Sequence, residues 1–237
     1  MNKTLVISST IYPESKKQLR EMGYNLIELN SYNILENPVS SHPDMFMTQF
    51  DNAVLIDNAV NSAFINFNSN ENVIFCNRGV EQTKILEYPE NIGFNCVKVG
   101  DKLICNKKHT CKSVLEYASE NGVQILDVKQ GYAKCSTCVV SDRAIITEDE
   151  SIARCAALNG IDVLKIRKGY VLISKYDYGF IGGCCGLIEK NLLAFNGNVF
   201  VHPDSAEISE FCYKYSVGIV SLCDRELYDI GSIFRLN

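Results

Sequence analysis

Residues 95–129 read NCVKVGDKLICNKKHTCKSVLEYASENGVQILDVK. Two short apolar runs, NCVKV and KLIC, flank Gly100-Asp101, a dipeptide suited to a tight turn. HTCKSVLEYASEN follows with apolar residues at helical spacing and stops at Gly122, the residue that best tolerates a left-handed cap. VQILDVK then reads as a strand that returns after a helical crossover, which makes it parallel to its neighbour. The unit is therefore strand, turn, strand, helix, strand.

The same order recurs along the chain. The next copy is CSTCVV, Ser141-Asp142, RAIIT, ESIARCAALN with Ile152, Cys155 and Ala156 as its apolar stripe, Gly160 and IDVLKIR. Another is GFIGGCCGLI, Glu189-Lys190, NLLAF, HPDSAEISEFCYKYSV, Gly218 and IVSL. A looser copy runs MFMTQF, Asp51-Asn52, AVLI, a short helix through AVNSAFINF that Asp57 caps, and NVIFC. The fifth is split. LVIS, a helix opened by Pro13, Gly23 and YNLIEL lie at the start, and IGSIFRL at the end supplies the missing first strand. Turn midpoints fall at 51.5, 100.5, 141.5 and 189.5, spaced by 49, 41 and 48 residues. One further step of 48 reaches 237.5, and a step of 49 back from 51.5 reaches 2.5. The expectation is one α/β domain over 1–237, five ββαβ units in a ring of pseudo-fivefold symmetry, the first unit completed by the C-terminal strand.

The composition narrows the function classes. Of 237 residues, 46% are hydrophobic and 22% charged, the profile of a globular chain. A net charge of −5 is not the footprint of a nucleic-acid binder, and no apolar run approaches the length of a membrane span. Pro13 and Glu14 interrupt the N-terminal stretch before an export-type apolar core forms. Eleven cysteines, an odd number, then read as reduced, mostly buried thiols of a cytoplasmic protein. Cys135-Ser-Thr-Cys138 has the spacing of a metal knuckle, and Cys184-Cys185 would complete four thiolates. Strand alternation sends each pair to opposite faces, so neither a metal nor a cofactor is expected.

The five-unit organisation resembles the pentein, or guanidine-group-modifying-enzyme, fold: a five-bladed αβ propeller. The resemblance covers essentially the whole chain and points to a bacterial branch of that fold. Ser41-His42-Pro43-Asp44 is similar to the Pro-Asp segment of dimethylarginine hydrolases, and Val199-Phe-Val-His-Pro-Asp204 to a segment of translation initiation factor six. The enzymes of the fold attack a guanidinium carbon with a cysteine thiolate, move protons with a histidine and hold the substrate with carboxylates. Residue by residue, the resemblance implies that this triad is missing. The stretch Tyr228-Asp-Ile-Gly-Ser232 has no cysteine where the nucleophile belongs, Tyr132 stands for the histidine, and the acid falls near Gln49. Lys134 would repel a guanidinium, and only Asp44 matches a substrate-holding carboxylate.

In such a ring the first strand of each unit lines a central channel. Alternation counted back from each turn gives His42, Asp44 and Phe46; Asn91, Gly93 and Asn95; Tyr132, Lys134 and Ser136; and Phe180, Gly182 and Cys184. The interleaved set, with Met45, Met47, Phe94, Cys96, Cys135 and Cys185, belongs against the helices. Asp44 and Lys134 share one depth and are expected to pair or to hold a zwitterion. The glycines at 93, 182 and 183 either leave room for a small ligand or serve close packing. The candidate ligand-binding set is thus His42, Asp44, Tyr132, Lys134, Ser136, Gly182 and Cys184. A rearranged catalytic pair, Cys184 as nucleophile with His42 as base, competes with a packed thiol and a structural histidine.

Three readings follow. The first is a non-standard guanidino-type enzyme or ligand-binding descendant, with a small guanidino or amino-acid-like molecule as partner. The second is a non-catalytic module that binds a protein or the ribosome, as translation initiation factor six does. The third is another α/β scaffold. The polar channel residues favour the first, and the absent triad favours the second.

Overall fold

The structure is a computed structural model that describes residues 3–65, 72–79 and 85–236. Among these residues the chain forms five three-stranded sheets, each an antiparallel pair extended by a parallel third strand. Unit one joins β1 (Thr4–Ser8), α1 (Pro13–Glu21) and β2 (Asn25–Leu29) to the last strand, β15 (Phe234–Leu236). Thr4 lies opposite Leu236 and Val6 opposite Phe234, so both ends of the chain share one sheet, as the turn spacing expects. Unit two holds β3 (Met47–Gln49), β4 (Ala53–Asp57) and β5 (Asn72–Cys76). Unit three holds β6 (Val97–Val99), β7 (Lys102–Cys105), α2 (Lys112–Glu120) and β8 (Gln124–Asp127). Unit four holds β9 (Cys138–Ser141), β10 (Ala144–Thr147), α3 (Glu150–Leu158) and β11 (Asp162–Lys165). Unit five holds β12 (Cys185–Glu189), β13 (Leu192–Phe195), α4 (Ser205–Lys214) and β14 (Gly218–Ser221).

Local chemistry explains most boundaries. Pro13 opens α1, and the Asp149 carboxylate caps α3 by accepting from the Ile152 N–H at 2.9 Å. Gly23, Gly122 and Gly160 end their helices with positive φ. The fourth helix differs: Ser216, at φ 58°, makes the left-handed turn, and Gly218 already belongs to the strand. Unit two replaces its α-helix with a 3-10 segment, Asn58–Phe64, where the Asp57 carboxylate accepts from the Ala59 N–H. The end of the helix expected there, at residues 66 and 67, lies outside the described residues.

The expected first strands are shorter than the sequence suggests. Val39–Ser41 and Pro43–Met45 form 3-10 turns, as does Glu90–Ile92, and residues 133–136 form turns. Proline or glycine in or beside these stretches, Pro38, Pro43, Pro89, Gly93 and Gly131, bends the backbone before pairing begins.

Five apolar clusters fill the spaces between successive units. Leu236 and Val6 pack with Met47 and Ile56; Leu55 packs with Leu103 and Val114; Val97 and Ile104 with Ile145 and Ile152. Ile146 and Cys138 pack with Phe195 and Ile208, and Ala194 with Leu5 and Ile7. Burying one such side chain as fully as Ile152 contributes roughly 2 kcal/mol. All eleven cysteines are free, eight of them buried. Among the described residues, no helix is long and apolar enough to cross a membrane.

Candidate functional site

The segments that lead into β3, β6, β9, β12 and β15 meet one another through polar contacts. The Asp44 N–H donates to Gly231 O at 3.0 Å, and Ile230 and Ser232 N–H both donate to Gly183 O. The Asn95 carboxamide oxygen accepts from the Lys134 N–H at 2.7 Å. Asp229, 1% exposed, accepts from the N–H groups of Phe180 and Gly231.

Ser232 is the hinge of this arrangement. Its Oγ lies 2.8 Å from Lys134 Nζ, 2.9 Å from Asp44 Oδ2 and 2.8 Å from Gly182 O. The ammonium donates to the hydroxyl, which has one proton for two acceptors. Asp44 and Lys134 therefore meet through a serine. Ser232 is fully buried at φ 74°, a left-handed conformation costly for a non-glycine residue. Its N–H and hydroxyl contacts hold it there. Lys134 Nζ also sits 5.4 Å from the Phe234 ring centroid. Asp44 Oδ2 takes a second donor, the Cys135 thiol, at 3.0 Å.

A second cluster adjoins it. His42 Nδ1 is 3.7 Å from Asp229 Oδ1. Burial raises the Asp229 carboxyl above its usual range, with His42 opposing. Glu148 is half-buried as a residue, but its carboxyl end is enclosed. Burial pushes that carboxyl up to about 8, although Oε1 accepts from the Ile181 N–H at 3.1 Å. On the other side Arg78, between the Phe46 and Phe94 rings, pairs with Asp57 and donates to Met45 O and Asn91 O.

Among the described residues, five buried polar atoms in these segments have no hydrogen-bond partner, His42 Nδ1, Asp44 Oδ1, Asn91 Oδ1, Ser136 Oγ and Thr137 Oγ1, and Glu148 Oε2, just after β10, is a sixth. Native interiors hold few such atoms, and water, an ion or a ligand usually accounts for them.

The parity count needs correction in three places. Phe46 and Met45 lie in the same apolar cluster, and Met45 also meets Asn95, because a 3-10 turn does not alternate faces as a strand does. Cys184 packs in an apolar cluster, within electrostatic reach of Asp229 and Glu148. It is fully buried among Ile181, Phe195 and Cys212, donates its S–H to Ile181 O, and burial raises its thiol well above the usual value. That is the placement of the packed thiol. The glycines do not leave room: a Cβ on Gly93 would lie 2.5 Å from Cys111 Sγ, and one on Gly182 2.3 Å from Thr137 O. Close packing explains them.

His42, Asp44, Lys134 and Gly182 lie in the connected polar centre, and Ser136 lies beside it with its O accepting from Thr147. Tyr132 accepts from Asn91 Nδ2 at 3.3 Å. Sequence reasoning missed Ser232, Asp229, Cys135 and Glu148. The offset of 5.5 residues used for the other units, counted back from 237.5, lands on Ser232. Beside Tyr132 a cleft of about 620 Å³ opens to the surface, lined by Glu36, Glu87, Tyr88, Gln130, Tyr132 and Tyr176.

No curated protein matches this chain. Among solved structures, DDAH from Pseudomonas aeruginosa, in a cysteine-to-serine mutant complexed with citrulline, is similar. The TM-score is 0.54 at 9% identity, over 93% of this chain and 92% of that one. Agmatine deiminase from C. jejuni, a cysteine-to-serine variant with substrate bound, gives 0.54 at 12% identity over 99% and 93%. At these identities the likeness is one of fold: a mixed α/β architecture of small sheets, shared with members of the pentein superfamily. A family model described as a family of unknown function (DUF6873) matches residues 6–234, nearly the whole span of the five units, and the chain belongs to that family.

Proposed function

We propose that this chain is a five-bladed αβ propeller of pentein type that binds a small guanidino or amino-acid-like molecule at its polar centre, without thiolate chemistry. The blade arrangement is supported by the five apolar clusters, which join units one to two, two to three, three to four, four to five and five to one. The observation that carries the ligand reading is the set of six buried polar atoms in and beside the centre that have no partner among the described residues. A plain structural core would be expected to pair or exclude them. The absence of thiolate chemistry rests on two thiols. Cys135 donates to a carboxylate and Cys184 is enclosed by apolar groups, and burial raises both. A neutral, buried thiol is a poor nucleophile.

Asp44 supplies the negative charge for a ligand cation, and Lys134 with Ser232 suits a ligand carboxylate. Calorimetric titration with arginine, agmatine, citrulline and a methylated arginine tests this. At least one should bind, and Asp44→Asn should abolish binding of a cationic one. Absence of binding by all four overturns the ligand reading. Citrulline release that disappears in Cys135→Ala or Cys184→Ala overturns the thiol argument instead.

A further inference from the structure

The cleft beside Tyr132 is lined by two carboxylates with no cation beside them among the described residues. Leu35 and Leu86 form a parallel β-bridge, and the Leu86 N–H donates to Ile34 O at 2.9 Å. The next residues on each side, Glu36 and Glu87, are therefore held side by side, and both line the cleft. Among the described residues neither has a lysine, arginine or histidine nitrogen within 4 Å. Two like charges in register repel unless a cation shields them.

Aromatic rings complete the walls. The Tyr88 and Tyr132 ring centroids are 5.6 Å apart, with Phe180 6.2 Å beyond Tyr132. Gly131 seats Tyr88: a Cβ there would lie 2.5 Å from its Cε2. Tyr176 stands opposite in the lining and donates its hydroxyl to Glu36 Oε1 at 3.2 Å. Gln130 is committed, donating to Asp149 and accepting from the Tyr132 N–H. Burial raises the Tyr132 and Tyr176 phenols, with Glu36 adding to the second, so both rings stay neutral near pH 7. Among the described residues the lining thus offers ring faces and two negative charges, with no positive one.

From these contacts we infer that the Glu36–Glu87–Tyr88–Tyr132–Tyr176 cleft is a binding site for a small alkylated ammonium ion. Ring faces attract a cation through the quadrupole, best when its charge is weakly hydrated. The cleft has the size of small-molecule sites. A metal ion fits poorly: among the described residues no three His, Cys, Asp or Glu side chains gather to hold one. A guanidinium prefers a carboxylate with both oxygens open for a bidentate pair, and Tyr176 already occupies one oxygen of Glu36, which leaves Glu87 alone for such a pair. An alkylated ammonium needs only proximity to charge and ring faces.

This site opens to the surface, adjoins the centre through the Asn91–Tyr132 hydrogen bond and does not depend on a ligand there. Choline is the probe, titrated into the intact protein at low salt, with 3,3-dimethyl-1-butanol as its uncharged isostere and methylguanidinium as planar competitor. Choline should bind, with the isostere at least about tenfold weaker. The double variant Glu36→Gln/Glu87→Gln should lose about tenfold or more, and Tyr88→Leu about fivefold. Asp44→Asn should leave choline affinity unchanged, whereas Glu36→Gln/Glu87→Gln should not alter arginine or citrulline binding at the centre. The inference is overturned by no choline binding, by equal binding of the isostere, by tighter binding of methylguanidinium, or by a double variant of wild-type affinity. Loss of choline binding in Asp44→Asn alone would move the cation to the centre and equally overturn it.

Discussion

The segments leading into β9 and β12 occupy corresponding places in units four and five, yet they are built in opposite ways. Tyr132–Thr137 carries long or polar side chains: a phenol, an ammonium, a thiol and two hydroxyls. Phe180–Cys185 carries two glycines and two cysteines. The second makes room for the first. Gly182 presses against the backbone oxygens of Lys134 and Thr137, and its own carbonyl accepts from Ser232 and, at 3.5 Å, from Lys134. Gly183 lies where a Cβ would meet the Asp229 carboxylate at 2.1 Å. One segment supplies chemistry and the other supplies bare backbone for it to bind. A repeat can therefore keep its fold while dividing polar and packing roles between neighbours.

Adding a side chain to the bare segment should do the most damage. Gly182→Ala places a methyl against two backbone oxygens that cannot swing aside, so a loss of about 3 kcal/mol or more is expected in urea unfolding. A loss below about 0.5 kcal/mol would mean that the two segments are not in tight contact.

The second contrast is between protonation states. Glu148 reaches from unit four to the Ile181 N–H of unit five, and its carboxyl is raised from 4.5 to about 8. The folded protein then binds more protons than the unfolded chain between these values. Stability should be greatest below about pH 4.5 with respect to this group and fall as pH rises toward 8. Asp229, raised in the same direction by burial, adds to that trend. A decline of a few kcal/mol across the window is expected, with about 5 kcal/mol as the ceiling that the full Glu148 shift sets, and Glu148→Gln should flatten most of it. Melting curves at a series of pH values decide the sign.

Removing chemistry from the polar segment should cost less than crowding the bare one. Lys134→Met keeps the stem beside Phe234 but deletes the ammonium that donates to Ser232. A half-buried charge-assisted bond is worth roughly 1–2 kcal/mol, so the midpoint shift should be about half that of Gly182→Ala.

The smallest effect belongs to the thiol. Cys184→Ala removes a sulfur enclosed in an apolar cluster and should cost no more than about 1 kcal/mol, without altering ligand affinity. Rapid alkylation of Cys184 in the folded protein would contradict its burial.

The repeat was legible because each level of the sequence agreed: turn dipeptides, apolar spacing and helix-ending glycines all marked the same boundaries. The site was legible only in part. Asp44 and Lys134 were found by counting alternate residues, yet the count failed at Phe46 and Cys184. Their segments turn in short 3-10 and irregular steps rather than run as strands. Ser232 was passed over for lacking a thiol, although its place in the repeat pointed to the centre. Glu148 and Asp229 carry no local pattern, because what perturbs them is enclosure by segments distant in sequence. The division between roomy and packed glycines needed the positions of Thr137 and Cys111, which no spacing rule supplies.

The antiparallel pair of Thr4 with Leu236 carries a consequence for biosynthesis. Units two to five draw their strands from continuous stretches and can pair them soon after leaving the ribosome. The first sheet cannot: β1 and β2 form their parallel pair early, but the remaining edge of β1 stays open until the last strand emerges. At roughly 5–20 residues per second, that edge waits about ten to fifty seconds. An unpaired edge of this kind is a template for association with other chains. Nascent chains stalled a few residues short of β15 should accordingly be the most aggregation-prone stage of synthesis, and completing the final strand should end that exposure.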